Sequence, residues 1–411
     1  MTKKYILIIS SFFLLLLNAC GSSSSSDDIK NILDPFNLHN NDNKVFSEKE
    51  KKFVHNLFLN EYLWYDQVAA NVDYSTFNTP QDMINTLKVT PPDEWSFAMT
   101  KEQYENYVNQ KTAGFGFGYT KDFTVYLVRI DAPAYGKLLR GDKIVQINGQ
   151  AATNQLVQQS SQNINRTTTF SVLRTDAMGN NKMLDVQIIP REYTFKVTLG
   201  KIINQDTKKI GYLRYDSFTA SSVEEFEREF TKFKNGNIDE LVIDLRYNGG
   251  GSIAVASTLL ENITNKFSGK RQVYLDFNDK LKDENEPYSF TDEIEANDLS
   301  MTRVYFLVTK GSASASELVI SALKPYLGDT NVITIGTNTH GKPVGMGGRQ
   351  YANNYYFIIN FLVRNNSGET TSFEGITPTC EAEDDITHLM GDTDENMLKT
   401  ALNHIETGTC F

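Results

Sequence analysis

Cysteine is scarce, with three residues in 411 and none in a CxxC spacing, and the five histidines are scattered without an HExxH pair. Zinc sites built on closely spaced thiolates or imidazoles are therefore not expected, and no cofactor is expected. Positive charge is also short. Lys and Arg number 40 against 51 Asp and Glu, a net charge of -11, and such a surface repels phosphate backbones, so nucleic acid is not an expected partner. Long apolar runs are missing except near the start, where Lys3 and Lys4 precede a run from Tyr5 to Leu17. That run is too short for an ordinary spanning helix and reads as a secretory signal.

The signal closes on LNAC, small and apolar residues ahead of Cys20, which resembles the lipobox of bacterial lipoproteins. Cleavage before Cys20 leaves it as a lipidated first residue. GSSSSSDD follows, a tether composition similar to the export tags of some surface lipoproteins. Residues 1–19 are thus expected to be a signal peptide and 20–44 a lipid-anchored linker. The expected location is the bacterial cell envelope, at the outer membrane, on its periplasmic or its surface face. Residues 1–19 hold two lysines and no acid, so their removal takes the charge from -11 to -13. Cys380 and Cys410 of an exported chain are disulfide candidates.

The remaining residues suggest two or three domains. From 45 to 110 the apolar spacing is helical, with Phe53, Leu57, Tyr62, Leu63 and Tyr65 near one face and Ser47 as a cap. From 111 to 192 short β-rich runs alternate with turn signals: GFGFGY, TVYLVRI, RGDKIVQING, TTFSVLR and MLDVQII. From 193 to 390 strand patterns (TKKIGYLRY, DELVIDLRY, RVYFLVTK, NVITIGT, YYFIINFLV) alternate with helical ones (SSVEEFEREFTKF, IAVASTLLENI, ASELVISALKPYL). The fold class expected is mixed α/β, with a partly parallel sheet whose chemistry gathers at the carboxyl ends of its strands. Residues 391–411 are expected to be a C-terminal helix or tail.

Three glycine- or serine-rich turns stand out. GSASASEL (311–318) joins a strand pattern to a helical one; Ser314 and Glu317 fit a capping box, and the same turn can expose a hydroxyl above a sheet. LVIDLRYNGGGSI (241–253) ends a buried strand in three glycines, whose N–H groups can face an anion. Gly249, Gly251 and Ala254 also satisfy a dinucleotide fingerprint, although the match is short and an exported chain has no obvious nicotinamide supply. The third is the glycine-rich loop that follows the strand pattern in NVITIGTNTHGKPVGMGGRQY (331–351); its THGKPVG (339–345) carries Lys342, with His340 as a different base in the same loop.

Two stretches carry resemblances. Gly114–Phe117 (GFGF), a small helix at 134–139 and RGDKIVQING resemble a PDZ domain, which implies that Gly114, Phe115, Gly116 and Phe117 present a peptide-binding edge. On their own, these glycines also fit a plain turn at a strand end. VIDLRYNGGG, GSASASEL and THGKPVG, in that order, with EGITP at 374–378, resemble the C-terminal processing (tail-specific) serine peptidases.

The resemblance implies an α/β-layer serine peptidase core behind a PDZ-like domain and a helical N-terminal module. It implies Ser314 as nucleophile and Lys342 as base. Gly249, Gly250 and the backbone at Ala315 would supply the oxyanion site, and Arg246, Glu317 and Thr339 would support it. Four residues after the lysine, where better-known bacterial members carry an orienting glutamine, this chain has Met346; Gln350 is the expected substitute if 345–348 bulges. Thr379 stands where an aspartate commonly follows GITP. The implied activity is serine endopeptidase hydrolysis of unfolded or C-terminally recognised proteins, with the membrane as a partner through Cys20. The alternative is a peptide- or ligand-binding lipoprotein on the same scaffold.

Overall fold

Runs such as VYFLV and VITIG have no polar alternation, the mark of strands covered on both faces. The computed structural model describes residues 45–410 apart from 177 and 293–296. The expected signal peptide, Cys20 and the linker to residue 44 lie outside the described residues. Among the described residues no helix is long and apolar enough to cross a membrane.

Glu240–Asp244, Val304–Val308 and Val332–Gly336 are buried at every position. They form the centre of a six-stranded sheet ordered Thr198–Gln205, Lys208–Tyr215, Glu240–Asp244, Val304–Val308, Val332–Gly336, Cys380–Glu381. The first pair is antiparallel and the rest are parallel. Because side chains alternate across a strand, Val304, Phe306 and Val308 meet the helices Ser222–Gly236, Ile253–Ile263 and Ala315–Leu327. Tyr305 and Leu307 face the other way, onto Met397, Leu398 and Ala401 of the helix Asn396–Thr407. The helix Asn396–Thr407 therefore covers one face of the central sheet. Cys380 on the edge strand is disulfide-bonded to Cys410, just beyond that helix.

A second sheet holds Phe97–Thr100, Asn354–Asn365, Arg271–Phe277 and Glu286–Ser289, with Val344–Tyr351 paired to Asn354–Asn365. The sequence reading treats 344–351 as a glycine-rich loop, whereas here it is a strand. One of its glycines makes room for an aromatic ring from the neighbouring strand: a Cβ on Gly345 would sit 2.0 Å from the Phe361 ring.

The N-terminal segment carries the helices Glu48–Asn60, Pro80–Leu87 and Lys101–Val108. Each begins at a hydroxyl cap, Ser47, Thr79 or Thr100, accepting a backbone N–H of the first turn. The segment also contributes the strand Phe97–Thr100, whose Phe97 stacks on Phe357 at 4.9 Å. Phe58, Tyr62, Met83 and Trp95 share one core with Met346, Phe357 and Ile359. Residues 45–110 are thus one half of a core completed by the strand pair that follows Lys342.

Residues 111–192 form a four-stranded sheet, a separate pair Phe117–Tyr119 with Val125–Val128, and the helix Asn154–Gln162. The expected small helix at 134–139 is a single turn, in which the N–H groups of Lys137 and Leu138 both donate to Ala134 O at 3.0 Å. Of the expected peptide-binding residues, Phe115 packs inward at 3 % exposure beside Phe170, leaving only its backbone for an outside ligand. Phe117 opens the strand Phe117–Tyr119, which has no second strand partner among the described residues.

Candidate active site

Parallel strands bring their following loops to one end of the sheet, and all three motifs meet there. After the strand Val304–Val308 the chain turns through GSASAS into the helix Ala315–Leu327. Two of the three serines fasten that turn. Ser312 Oγ donates to Leu245 O at 2.7 Å, and Ser316 Oγ donates to Asn248 O at 2.8 Å. Ser314 lies between them, half-buried, with φ 55° and ψ -111°. A non-glycine residue at positive φ is held there by its surroundings and is common at functional sites. Ser314 lines a narrow cleft of about 20 Å³, together with Ile253, Val273, Leu318 and Lys342.

The glycine turn 249–251 packs directly beneath Ser314. Gly250 has φ 102°, and a Cβ there would come within 2.8 Å of Ala313 O and 2.9 Å of Ala315 N, so no larger residue permits this approach. Its N–H donates to Asn248 Oδ1 at 2.9 Å, which removes it from the expected set of oxyanion donors. Ala315 N–H belongs to the first turn of a helix, where intrahelical acceptors are lacking.

Glu317 ties the serine turn to the lysine loop. Its side chain is 1 % exposed. One oxygen accepts from Thr339 Oγ1 at 2.5 Å and Gly341 N at 2.7 Å, the other from Ser314 N and Lys342 N, both at 2.9 Å. Burial pushes its carboxyl above the usual range, and those four donors pull the other way. Thr339 in turn accepts from Ile376 N at 2.7 Å, which docks the EGITP segment. Glu317→Gln replaces one acceptor oxygen by an amide NH2 facing two donors. It is expected to lower kcat about tenfold or more with KM little changed, and to cost roughly 1–3 kcal/mol in a denaturant melt. An unchanged kcat would uncouple this clamp from the chemistry.

Lys342 is 2 % exposed. Burial lowers its ammonium from the ordinary range to about 7, against the attraction of Asp93 and Glu317. The Trp95 ring centroid lies 5.8 Å from its Nζ. His340 is held differently. Its Nε2 is 3.1 Å from Trp95 Nε1, an atom that can only donate, so this ring nitrogen is the acceptor. Burial, with Lys310 and Lys342 nearby, lowers His340 to about 4.

Gln350 is not brought to the site. The strand Val344–Tyr351 does have an irregularity between Gly345 and Met346, yet it runs on to pair Gln350 with Tyr355, and the exposed amide bonds Ala352 O. Eight residues of extended chain carry it away from Lys342. Met346 is 4 % exposed in the core shared with the N-terminal helices. Arg246 also lies away from Ser314: its buried guanidinium pairs with Asp244, Glu395 and Asp384 at 2.7–2.8 Å. Its support of the site passes through the backbone, where Arg246 O accepts from Thr309 Oγ1. Thr379 pairs with Thr334 at the sheet edge. Sequence reasoning missed Asp93 and Trp95, which come from the N-terminal segment with no motif to mark them.

A profile described as "Peptidase family S41" matches residues 209–382, and one described as "Peptidase S41 N-terminal domain" matches 49–97. Together they take in more than half of the chain. The chain belongs to peptidase family S41.

Among curated proteins, this S41 chain is 25 % identical over 312 residues to "Carboxy-terminal processing protease CtpB" of Bacillus subtilis, covering 73 % of this chain and 61 % of that one. It is 26 % identical over 277 residues to a "Probable CtpA-like serine protease" of Staphylococcus aureus, covering 66 % and 52 %. The S41 chain thus spans between half and two thirds of the length of these relatives. Among solved structures, a putative S41 protease from Bacteroides fragilis shares its fold with a TM-score of 0.76 at 24 % identity, over 87 % of this chain and 97 % of that one. The "Photosystem II D1 C-terminal processing protease" matches with a TM-score of 0.50 at 17 % identity, over 81 % and 92 %.

Proposed function

We propose that the chain is an exported, lipid-anchored serine endopeptidase that hydrolyses unfolded or C-terminally recognised proteins through a Ser314–Lys342 dyad. The observation that carries this reading is the pairing, in one cleft, of a serine at positive φ with a buried lysine whose ammonium is lowered to about 7. Moving a lysine from 10.5 to about 7 amounts to roughly 5 kcal/mol of disfavour for the charged form. At neutral pH a large share of the amine is then free to act as a base.

Neutral Lys342 Nζ takes the Ser314 Oγ proton as the oxygen attacks a peptide carbonyl carbon. The resulting oxyanion meets Ala315 N–H, at a helix start whose dipole favours negative charge, and the glycine turn at Gly249. Collapse breaks the C–N bond, and the ammonium of Lys342 gives its proton to the leaving amine. An ester on Ser314 remains. Water then attacks the ester carbonyl and passes a proton to Lys342; the bond from the acyl carbon to Ser314 Oγ breaks as Lys342 returns that proton to Oγ, and the acid product leaves.

The open edge of Phe117–Tyr119 supports this substrate class: an extended peptide can add there as a strand while the Gly114–Phe117 backbone receives a terminal carboxylate. The anchor rests on LNAC and the tether after Cys20.

The test uses one protein sequence in two states, folded and permanently unfolded, and one unfolded peptide with either a free or an amidated C-terminus. Cleavage of the unfolded chain, with the free-acid peptide favoured in KM, is the expected result. Equal rates on the folded chain would remove the substrate class. Peptide binding without any cleavage would replace the enzyme by a binding protein.

A further inference from the structure

Met346 stands where the family resemblance places an orienting amide, and the Trp95 ring lies 5.8 Å from Lys342 Nζ. We propose that Trp95, supplied by the N-terminal segment, is a positioning residue for Lys342, its indole ring closing one wall around the amine and its N–H fixing the loop that carries it. The proposal rests on the reading of Lys342 as the base.

Three contacts place Trp95 there. Its ring centroid is 5.8 Å from Lys342 Nζ, its Nε1 donates to His340 Nε2 at 3.1 Å, and its outer side stacks on Phe373 at 6.2 Å. His340 also anchors the serine turn, its N–H donating to Ser312 O at 2.9 Å. Trp95 therefore lies beside the lysine amine and reaches the serine turn through one histidine. Trp95 itself is 5 % exposed and rigidly seated. Its backbone N–H and that of Ser96 both donate to Asp93 Oδ1 at 2.9 Å, while Ser96 Oγ and Tyr62 OH donate to Asp93 Oδ2.

The wall has two physical effects. It keeps water from the amine, which favours the neutral form, and its π face attracts the ammonium formed once the serine proton has moved. The charged and titratable groups around Lys342 are Asp93 from the N-terminal segment, Glu317 from the Ala315–Leu327 helix, and His340 in its own loop with Lys310 beyond. Loss of the indole removes both effects, which act in opposite directions on the amine; burial is the largest influence on Lys342, so the admission of water decides the sign and the proton affinity of the amine rises. The sign of the effect is thus opposite to that of a deeper burial.

Trp95→Ala and Trp95→Phe test this in two ways. The first is the pH profile of kcat/KM. The second needs no turnover: the pH dependence of Lys342 modification by an amine-reactive reagent, read by peptide mass spectrometry in a Ser314→Ala background. For Trp95→Ala both midpoints are expected to rise by about one unit or more. At low pH its kcat/KM then falls about tenfold or more, and at high pH most of the rate returns. Trp95→Phe keeps a ring and is expected to move the midpoints by less than about half a unit. Should Trp95→Ala fail to fold, Trp95→Leu takes its place with the same expected direction. Unmoved midpoints, or a rate loss equal at every pH, would overturn the proposal. If the wild type proves unable to cleave peptides, the modification curve still decides the role of Trp95, so the two readings fail separately.

Discussion

Ser314→Ala is expected to reduce kcat/KM by roughly 10⁴-fold or more, because it removes the atom that forms the acyl bond. The fold should hold. Ser312 and Ser316, not Ser314, fasten the turn, through Leu245 O and Asn248 O. Each carbonyl keeps a backbone donor, Asn248 N–H on Leu245 O and Ala313 N–H on Asn248 O, so alanine at either position removes one buried hydroxyl bond, and at Ser312 also the acceptor of Thr309 N–H. The expected cost is about 0.5–1.5 kcal/mol of stability with the nucleophile retained. Kinetics and denaturant melts on the three single variants therefore separate the serines: one loses rate with little stability change, and two lose stability first. A Ser314→Ala variant within tenfold of wild type would remove Ser314 as nucleophile.

Lys342→Met should abolish turnover to a similar degree and, against the usual trend for buried substitutions, stabilise the fold. The lysine is 2 % exposed and its folded pKa is lowered to about 7 from 10.5. The unfolded chain then binds a proton that the folded chain gives up, so stability rises with pH between those two values. Below the folded value the cost of the buried ammonium is fully present; above the unfolded value it is gone. Methionine carries no such cost and suits a wall built from Trp95 and Val344. The expected gain is roughly 3–5 kcal/mol at pH 6, shrinking toward zero near pH 10. Melts at the two pH values check it. A variant less stable than wild type at pH 6 would contradict the burial of a costly charge. A gain of this kind is the common trade between stability and an active site.

The central sheet was legible because its middle strands carry apolar runs such as LVI and VYFLV and are buried at every position, and the helices between them repeat with helical spacing. Ser314, Glu317, Thr339 and Lys342 were legible through the order of three short motifs, each ambiguous alone: GSASASEL by itself reads as a cap. What escaped sequence reading involves contacts between distant parts of the chain. Trp95 meets His340 across 245 residues, and the fully buried Glu395 meets Arg246 across 149. No local pattern announces such pairs. The strand after Lys342 was hidden by its own glycines, of which Gly345 gives room to the Phe361 ring and does not make a turn. Reading it as a loop is what made Gln350 look reachable. The buried Met346 was visible in the sequence, but its consequence, a lysine walled by an indole from the N-terminal segment, was not.

The most direct test of the dyad is the rate at which an activated ester acylates Ser314 in a single turnover, followed from about pH 5 to about pH 10. A serine activated by Lys342 acylates faster as the amine loses its proton, with a midpoint at about 7 and a plateau above it, and Lys342→Met abolishes the rise. A flat profile, or a Lys342→Met variant that acylates at the wild-type rate, would contradict the account.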